Sequence, residues 1–229
     1  MTKQQKAMHE KRFPNESEDY RRSRLELLEA EIGLRRQVES VARLRRELPL
    51  GGKIREDYVF EEGEEARPVR LSQLFGDKDT LIAYSFMYGP KVERPCPSCT
   101  SIVDSLDGAA THVNQQASLV VIGRSPIARL RAFAAERGWT HVRLLSSAKN
   151  SYNADYHAED ASGSQWPVLN VFTRNGKGIY HSYASELLFA PADPGQDRRH
   201  VDMIWPLWNL LDVTPQGRGT DFRPKLSYG

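Results

Sequence analysis

The chain has 229 residues, which is enough for one domain with extensions or for two small domains. Its formal net charge of +2 gives no reason to expect a nucleic acid or a membrane surface as a partner. No run approaches the roughly 18 apolar residues of a membrane span, and the polar start MTKQQKAMHEKRF lacks the apolar core of a signal peptide, so we expect a cytoplasmic protein.

A long helical pattern follows residues 1–15, which we expect to be loosely packed. Residues 16–48 carry apolar side chains at helical spacing and predict one long helix or two shorter ones, with a start near Ser17 and a stop at Pro49. Arginine and glutamate residues are interleaved along it, which favours a solvated face with ion pairs over a nucleic-acid patch. The apolar stripe has to cover the main domain or a partner subunit, so a homodimer is one expectation.

Strands and helices alternate over residues 53–183, which we predict to be the main domain. Strands are expected at 57–61, 67–71, 80–88, 117–123 and 141–145, helical segments at 71–76, after Cys96 and at 126–138, and a hairpin at 168–173 and 178–182 that turns at Asn175 and Gly176. This order predicts an α/β fold with a sheet of mixed direction. We also predict a helical extension at 1–52 and a C-terminal extension at 184–229. The C-terminal extension is expected to contain a helix around Trp205 and Trp208, followed by an irregular tail.

The only two cysteines, Cys96 and Cys99, lie in the segment RPCPSC, after a long apolar run and at the start of a helical pattern. A helix N-terminus offers unpaired N–H groups and the positive end of the helix dipole, so we expect a lowered pKa for Cys96 and assign it as the attacking thiol. Cys99 lies one turn further, within reach for a disulfide, and is the predicted resolving thiol. Pro97 removes one N–H and fixes the turn, while Arg94 and Lys91 would add positive potential if they point inward.

Two other interpretations of the cysteine pair stay open. A structural zinc site usually needs four ligands, but there is no second cysteine pair, and His112 and His141 do not have the spacing of a zinc-binding histidine pair. The pair could also be two inert, partly buried thiols. We favour a redox dithiol, with no metal and no cofactor.

Several motifs together resemble a known family. They are the ELP that closes the helical start, DYVFE, LSQLFGDKDTLIAYSFMYGP, CPSC, WPVLNVF and LLDVTPQGRG, and they cover the chain from about Leu25 on. The family that they resemble is a bacterial group of predicted dithiol-disulfide oxidoreductases, thioredoxin-like and largely of unknown function. The resemblance implies a thioredoxin-like three-layer fold in its peroxiredoxin-like elaboration, with a mixed central sheet and with Cys96 and Cys99 as the redox pair.

The resemblance also implies a substrate-binding proline. Thioredoxin-like proteins place a cis-proline before the hairpin strand and against the dithiol, and Pro167 stands at that position. A cis bond would expose the backbone of Trp166 for pairing with an extended substrate, so Pro97, Trp166 and Pro167 are the predicted substrate-binding residues. An ordinary trans proline at the start of a strand is the alternative. The loop GPKVERP departs from thioredoxins and is predicted to shape a pocket or a lid.

These observations lead to one preferred function and two alternatives. We expect a thiol–disulfide oxidoreductase that acts on a protein disulfide or a small-molecule disulfide. The first alternative is a thiol peroxidase with Cys96 as the peroxidatic thiol, although the peroxiredoxin pattern ahead of a single cysteine is not reproduced. The second is a non-enzymatic thioredoxin-like module that senses redox state or binds a partner.

Overall fold

A computed structural model describes residues 8–219 and 221–229 of the chain. The chain divides into an N-terminal unit that ends at Pro49 and a second unit, Leu50–Gly229. Of the segment predicted to be loosely packed, residues 1–7 lie outside the described residues, and residues 8–15 contain no helix or strand.

One helix forms most of the N-terminal unit. Helix α1 spans Glu18–Glu47 without interruption, so the single-helix alternative is confirmed. Its N-cap is Ser17, whose hydroxyl accepts the N–H of Tyr20 at 3.1 Å, and the helix ends ahead of Pro49. Arg22 and Asp19 form one of the ion pairs along its surface.

A seven-stranded sheet organises the described part of the second unit. Its strands are β1 (Val59–Glu62), β2 (Arg67–Arg70), β3 (Thr80–Phe86), β4 (Ser118–Gly123), β5 (Arg143–Ser146), β6 (Leu169–Asn175) and β7 (Gly178–Ala184). They lie in the order β2-β1-β5-β4-β3-β6-β7. Strands β3, β4 and β5 are parallel, whereas β1 with β2, β1 with β5, and β6 with both of its neighbours pair antiparallel. The predicted mixed sheet is therefore confirmed.

Helices cover both faces of this sheet. They are α2 (Leu71–Leu74), α3 (Pro97–Val113), α4 (Ile127–Arg137), α5 (Tyr152–Asp155) and α6 (Pro206–Asp212). Side chains of β3 alternate between the two faces, so Tyr84 and Phe86 pack with α3, α4 and α6, while Leu81 and Ala83 pack with α2 and α5. Both faces of the central strands are buried, which explains their nearly continuous apolar sequences. The result is the predicted thioredoxin-like three-layer α/β fold.

Most element ends differ by a few residues from the predicted positions, and the structure shows the reason for two of these differences. Strand β3 stops at Phe86, because the Tyr88 N–H donates to the Phe86 carbonyl oxygen at 2.7 Å in a tight turn. The hairpin between β6 and β7 turns at Gly176 and Lys177, one residue later than predicted, since Asn175 pairs with Gly178. Both differences lie at the ends of elements whose existence and type were predicted correctly.

The C-terminal segment packs against the helix that carries the cysteines. Residues 184–229 contain two short 3-10 turns, Glu186–Leu188 and Asp202–Ile204, followed by α6. The indole N–H of Trp205 donates to the Ser101 hydroxyl of α3 at 3.0 Å. None of the helices in the described chain combines the length and apolar character needed to cross a lipid bilayer.

Candidate dithiol active site

The cysteines stand where the sequence predicts them, at the start of α3. Cys96 is the N-cap residue, and Pro97 occupies the first turn, where its missing N–H leaves no partner unpaired. The Cys96 N–H donates to the Met87 carbonyl oxygen at 3.1 Å, which ties the helix start to the end of β3. The backbone N–H and the hydroxyl of Thr100 both donate to the Cys96 carbonyl oxygen, at 3.0 and 2.9 Å. Local backbone bonds thus fix the position of Cys96.

The two thiols are free and differ in burial and ionisation. Cys99 is 1% exposed, whereas Cys96 is partly exposed. A hydrogen bond from the Cys99 thiol is the main reason that the pKa of Cys96 falls from 9.0 to about 6, and it prevails over partial burial, which raises this pKa. Roughly nine in ten Cys96 side chains are therefore thiolates at neutral pH. Burial, and then the hydrogen bond to Cys96, hold the pKa of Cys99 well above its ordinary value.

No single group of the helix start contributes as much to this ionisation as the neighbouring thiol does. The N–H groups of Ser98 and Cys99 face the Cys96 sulfur and lower its pKa, although neither closes a capping hydrogen bond. The hydroxyl of Ser98 adds a smaller stabilisation. The predicted lowered pKa of Cys96 is borne out, but its largest cause is a side chain and not the helix dipole alone.

Tyr84 lies beneath Cys99 in the core. This residue of β3 is fully buried, and its hydroxyl forms no hydrogen bond within the described residues. The hydroxyl lies near Cys99 and lowers the pKa of that thiol, which counteracts part of the effect of burial. Burial, followed by the charge of Cys99, raises the pKa of Tyr84 itself well above its ordinary value, so the group stays a donor. An aromatic residue in an apolar run gives no sign of this role in the sequence.

A cavity of about 420 Å³ opens beside Cys96. One wall is formed by Met87, by residues 89–92, 94 and 95 of the loop GPKVERP, and by Pro97, and the other by Glu159 and residues 163–165. The prediction that this loop shapes a pocket is confirmed. The cavity brings the partly exposed thiolate together with two loops that are far apart in the sequence.

Arg129 of α4 holds the first wall in place. Its guanidinium donates to the backbone carbonyl oxygens of Gly89, Pro90, Val92 and Glu93, three of them at 3.4, 3.2 and 2.8 Å. It also lies over the ring of Tyr88, 4.7 Å from the centroid. Arg94 is not turned towards the thiolate but forms a two-bond pair with Glu136 of α4, so its charge is compensated there.

Polar side chains also fix the second wall. The Asp160 carboxylate accepts the N–H groups of Ser162 and Ser164 at 2.9 and 3.0 Å, which closes the turn. Glu159 pairs with Arg124 at 2.6 Å. Arg124 in turn donates to two backbone carbonyl oxygens, those of Ser147 and Ala148, at 2.7 and 2.8 Å. Both walls are therefore anchored to the body of the fold by an arginine.

The predicted cis bond at Pro167 is wrong, because every peptide bond in the described chain is trans. The Trp166 N–H donates to the Ala158 carbonyl oxygen at 2.9 Å, and the Trp166 carbonyl oxygen accepts the Val168 N–H at 3.0 Å. Both polar backbone groups of Trp166 are thus used within the chain. Of the three predicted substrate-binding residues, Pro97 lines the cavity. Trp166 and Pro167 do not, because the second wall of the cavity ends at Gln165.

The described residues contain no group of three or more histidine, cysteine, aspartate or glutamate side chains arranged to hold a metal ion. The chemistry that the site itself offers is that of two sulfur atoms. One is ionised and borders a cavity, and the other is protonated, buried and adjacent.

A family model described as a bacterial protein of unknown function, DUF899, matches residues 10–228. No curated protein matches the chain. Solved structures with low similarity include a peroxiredoxin-like protein from Aquifex aeolicus, at 14% identity over 60% of this chain and 75% of that chain with a TM-score of 0.43. Peroxidoxin BcpB from Mycobacterium tuberculosis has 17% identity over 69% and 94%, with a TM-score of 0.46. The mitochondrial 2-Cys peroxiredoxin from Plasmodium falciparum has 14% identity over 72% and 95%, also with a TM-score of 0.46.

Proposed function

Since the chain belongs to DUF899, a bacterial protein family of unknown function, its activity has to be inferred from the site, and we propose a thiol–disulfide oxidoreductase that cycles Cys96 and Cys99. The observation that carries this proposal is the ionised Cys96 beside a cavity, in contact with the protonated and buried Cys99. A thiolate is the nucleophile in disulfide exchange, and a neighbouring thiol completes the exchange. An inert pair of core cysteines would need neither an ionised thiol nor a cavity beside it.

The proposed reaction has two displacement steps. The Cys96 thiolate attacks one sulfur of the substrate disulfide, the substrate S–S bond breaks, and the first substrate thiolate leaves. Cys99 then loses its proton and attacks the Cys96 sulfur, which forms the Cys96–Cys99 disulfide and releases the second substrate thiolate. The substrate gains two electrons and the dithiol loses two. An external thiol or dithiol reductant restores the reduced protein by the reverse exchange.

Tyr84 is positioned to assist the second step. Its hydroxyl lies near Cys99 and lowers the pKa of that thiol, and a donor at this place lowers the free energy of a thiolate formed inside the core. Cys96 needs no such help, because the thiol of Cys99 already stabilises its charge. The two steps should therefore respond differently to the loss of the Tyr84 hydroxyl.

A pH titration tests the ionisation on which the proposal depends. We expect the ultraviolet absorbance of the Cys96 thiolate to appear with a midpoint near pH 6 in the reduced protein. Cys99→Ala should move the midpoint up by about one to two pH units, because a hydrogen bond to a charged group is worth about 1.5–3 kcal/mol. Cys99→Ser keeps a hydroxyl donor, so its titration midpoint should lie between those of the wild type and of Cys99→Ala. A midpoint near that of a free cysteine in the wild-type protein would support the non-enzymatic module instead.

A second prediction concerns Tyr84→Phe, which removes one oxygen atom and keeps the ring. With the aromatic disulfide DTNB, each displacement step releases one coloured thiolate, so a stopped-flow trace separates the two steps. We expect the second release to slow by roughly 10- to 100-fold and the first to keep its rate. The matched control is Tyr152→Phe, a buried tyrosine on the other face of the sheet, whose loss should alter neither phase. Equal slowing of both phases would indicate that Tyr84 only supports the packing of the site.

A further inference from the structure

The shape of the site restricts what can reach Cys96. The cavity volume of about 420 Å³ lies within the roughly 300–1,000 Å³ typical of pockets for small molecules. Cys96 is part of the wall of this cavity, between two loops, and Pro97 borders it on the helix side. A disulfide must therefore enter the space between the loops to meet the sulfur.

Hydrogen bonds and ion pairs hold both loops in place, which opposes their displacement by a larger partner. Arg129 binds four carbonyl oxygens of the first wall, and Arg94 ties the end of that loop to Glu136. In the second wall, Arg124 holds Glu159 and two backbone carbonyl oxygens. Displacing either loop would leave several of these groups without their hydrogen-bond partners, which is energetically unfavourable.

The backbone of Trp166, the residue next to the cavity where an extended polypeptide was expected to dock, is used within the chain. Protein disulfides are commonly bound through main-chain pairing of the segment that carries them, in the manner of strand addition. At Trp166, where such pairing was expected, the N–H is bonded to Ala158 and the carbonyl oxygen to the N–H of Val168. A protein substrate would find no free backbone donor or acceptor at this residue.

Among the arginine and lysine side chains that line the cavity, Lys91 is the one without an ion pair. Arg94 is paired with Glu136, and Arg124 with Glu159. Lys91 makes no ion pair or hydrogen bond within the described residues. Its ammonium group reaches from the first wall towards Gly163 of the second, where a Cβ added to Gly163 would lie 3.9 Å from the Lys91 nitrogen and 3.7 Å from Oε1 of Glu159. Glu159 is already paired with Arg124 through its other carboxylate oxygen. The described lining of the cavity therefore carries two charges without an ion pair, the Cys96 thiolate and the ammonium group of Lys91, and only the ammonium group can attract an anionic substrate.

From this shape and charge we infer that the substrate is a low-molecular-weight disulfide that carries a carboxylate, and not a protein disulfide. The inference rests on the proposed function and names the substrate class of the same site. The carboxylate of the substrate pairs with Lys91 while its S–S bond lies against Cys96. The fixed walls exclude a folded protein, and the electron transfer is the two-step exchange already written.

Three disulfides test this inference with the reduced protein: oxidised glutathione, which is small and anionic, cystamine, which is small and cationic, and insulin, which is a protein. Each second-order rate constant is divided by that of free dithiothreitol with the same disulfide, which removes differences in intrinsic reactivity. We expect the normalised value for oxidised glutathione to exceed that for cystamine by at least about tenfold at low ionic strength, and insulin to be the slowest. Added salt should shrink the difference between the two small disulfides.

Variants of Lys91 separate charge from shape. Lys91→Gln should bring the glutathione-to-cystamine ratio close to one, and Lys91→Glu should invert it, with little change for insulin. The control is Lys177→Gln in the exposed turn between β6 and β7, which should leave the ratio unchanged. A normalised insulin rate equal to that of the small disulfides, or a ratio unaffected by Lys91→Gln, overturns the substrate class and leaves the oxidoreductase standing. A dithiol that stays reduced with all three disulfides overturns the oxidoreductase itself.

Discussion

Cys96→Ser is expected to abolish the redox cycle, with turnover of any disulfide falling at least about a thousandfold. A serine hydroxyl is not ionised at neutral pH and cannot form a disulfide, so neither step of the exchange has a nucleophile. The measurement is the number of coloured thiolates released by DTNB per protein chain. The wild type should release two coloured thiolates per chain quickly. Cys99→Ser should release one, since its mixed disulfide is not resolved, and Cys96→Ser should release none on the same timescale.

The contrast between the two cysteine variants also tests their assigned roles. The Cys99→Ser adduct should be stable and visible by mass spectrometry as a Cys96 mixed disulfide. If Cys96→Ser still releases one equivalent rapidly, Cys99 is accessible to the reagent, and the two roles must be exchanged. Peroxide consumption that depends on Cys96, without any disulfide turnover, would point to a thiol peroxidase in place of the oxidoreductase.

Arg129→Ala is expected to lower kcat/KM for a small disulfide by roughly tenfold to a hundredfold, although this side chain does not line the cavity. The guanidinium binds four carbonyl oxygens of the loop that forms one wall, so its loss leaves the wall without its anchor. The free energy of unfolding should fall by about 1–3 kcal/mol, because hydrogen bonds to a charged group are lost together with the contact to Tyr88. Steady-state kinetics and urea denaturation measure the two effects.

Arg131→Ala is the matched control for Arg129→Ala. Arg131 lies two residues away on the same helix and is exposed, so its replacement should alter activity and stability by no more than about 0.5 kcal/mol. The Cys96 thiolate should keep its pKa in both variants, since its stabilising groups belong to α3. If Arg129→Ala were as active as Arg131→Ala, a fixed wall would be unnecessary for catalysis, and the small-molecule preference would lose its main support.

The fold could be predicted from local signals in the sequence. The apolar run before the cysteines became β3, the Asn175–Gly176 signal marked the hairpin to within one residue, and Cys96 fell at a helix start as the order of elements required. The contacts that tune the site could not be predicted in this way. Arg129 acts on carbonyl oxygens 36 to 40 positions away, and Tyr84 of β3 lies in the same core cluster as Cys99 of α3. Such contacts depend on packing and leave no periodic pattern.

The error at Pro167 has a similar origin. Its position before β6 matches a general feature of thioredoxin-like chains, and the resemblance carried the cis geometry with it. In this chain the backbone of Trp166 is bonded on both sides to Ala158 and Val168. These bonds come from the loop that also builds the second wall, so the local conformation follows from a segment that a single motif does not describe.

The hydrogen-bonded thiolate of Cys96 also affects the reduction potential of the pair. A pKa that falls from 9.0 to about 6 on folding stabilises the reduced form of the pair. This stabilisation is complete above about pH 9 and absent below about pH 6. At neutral pH this amounts to about 1.4 kcal/mol, or about 30 mV for a two-electron couple. Because the oxidised form has no thiolate to stabilise, the shift makes the pair a better electron acceptor. The feature that speeds the attack of Cys96 thus weakens the protein as a reductant.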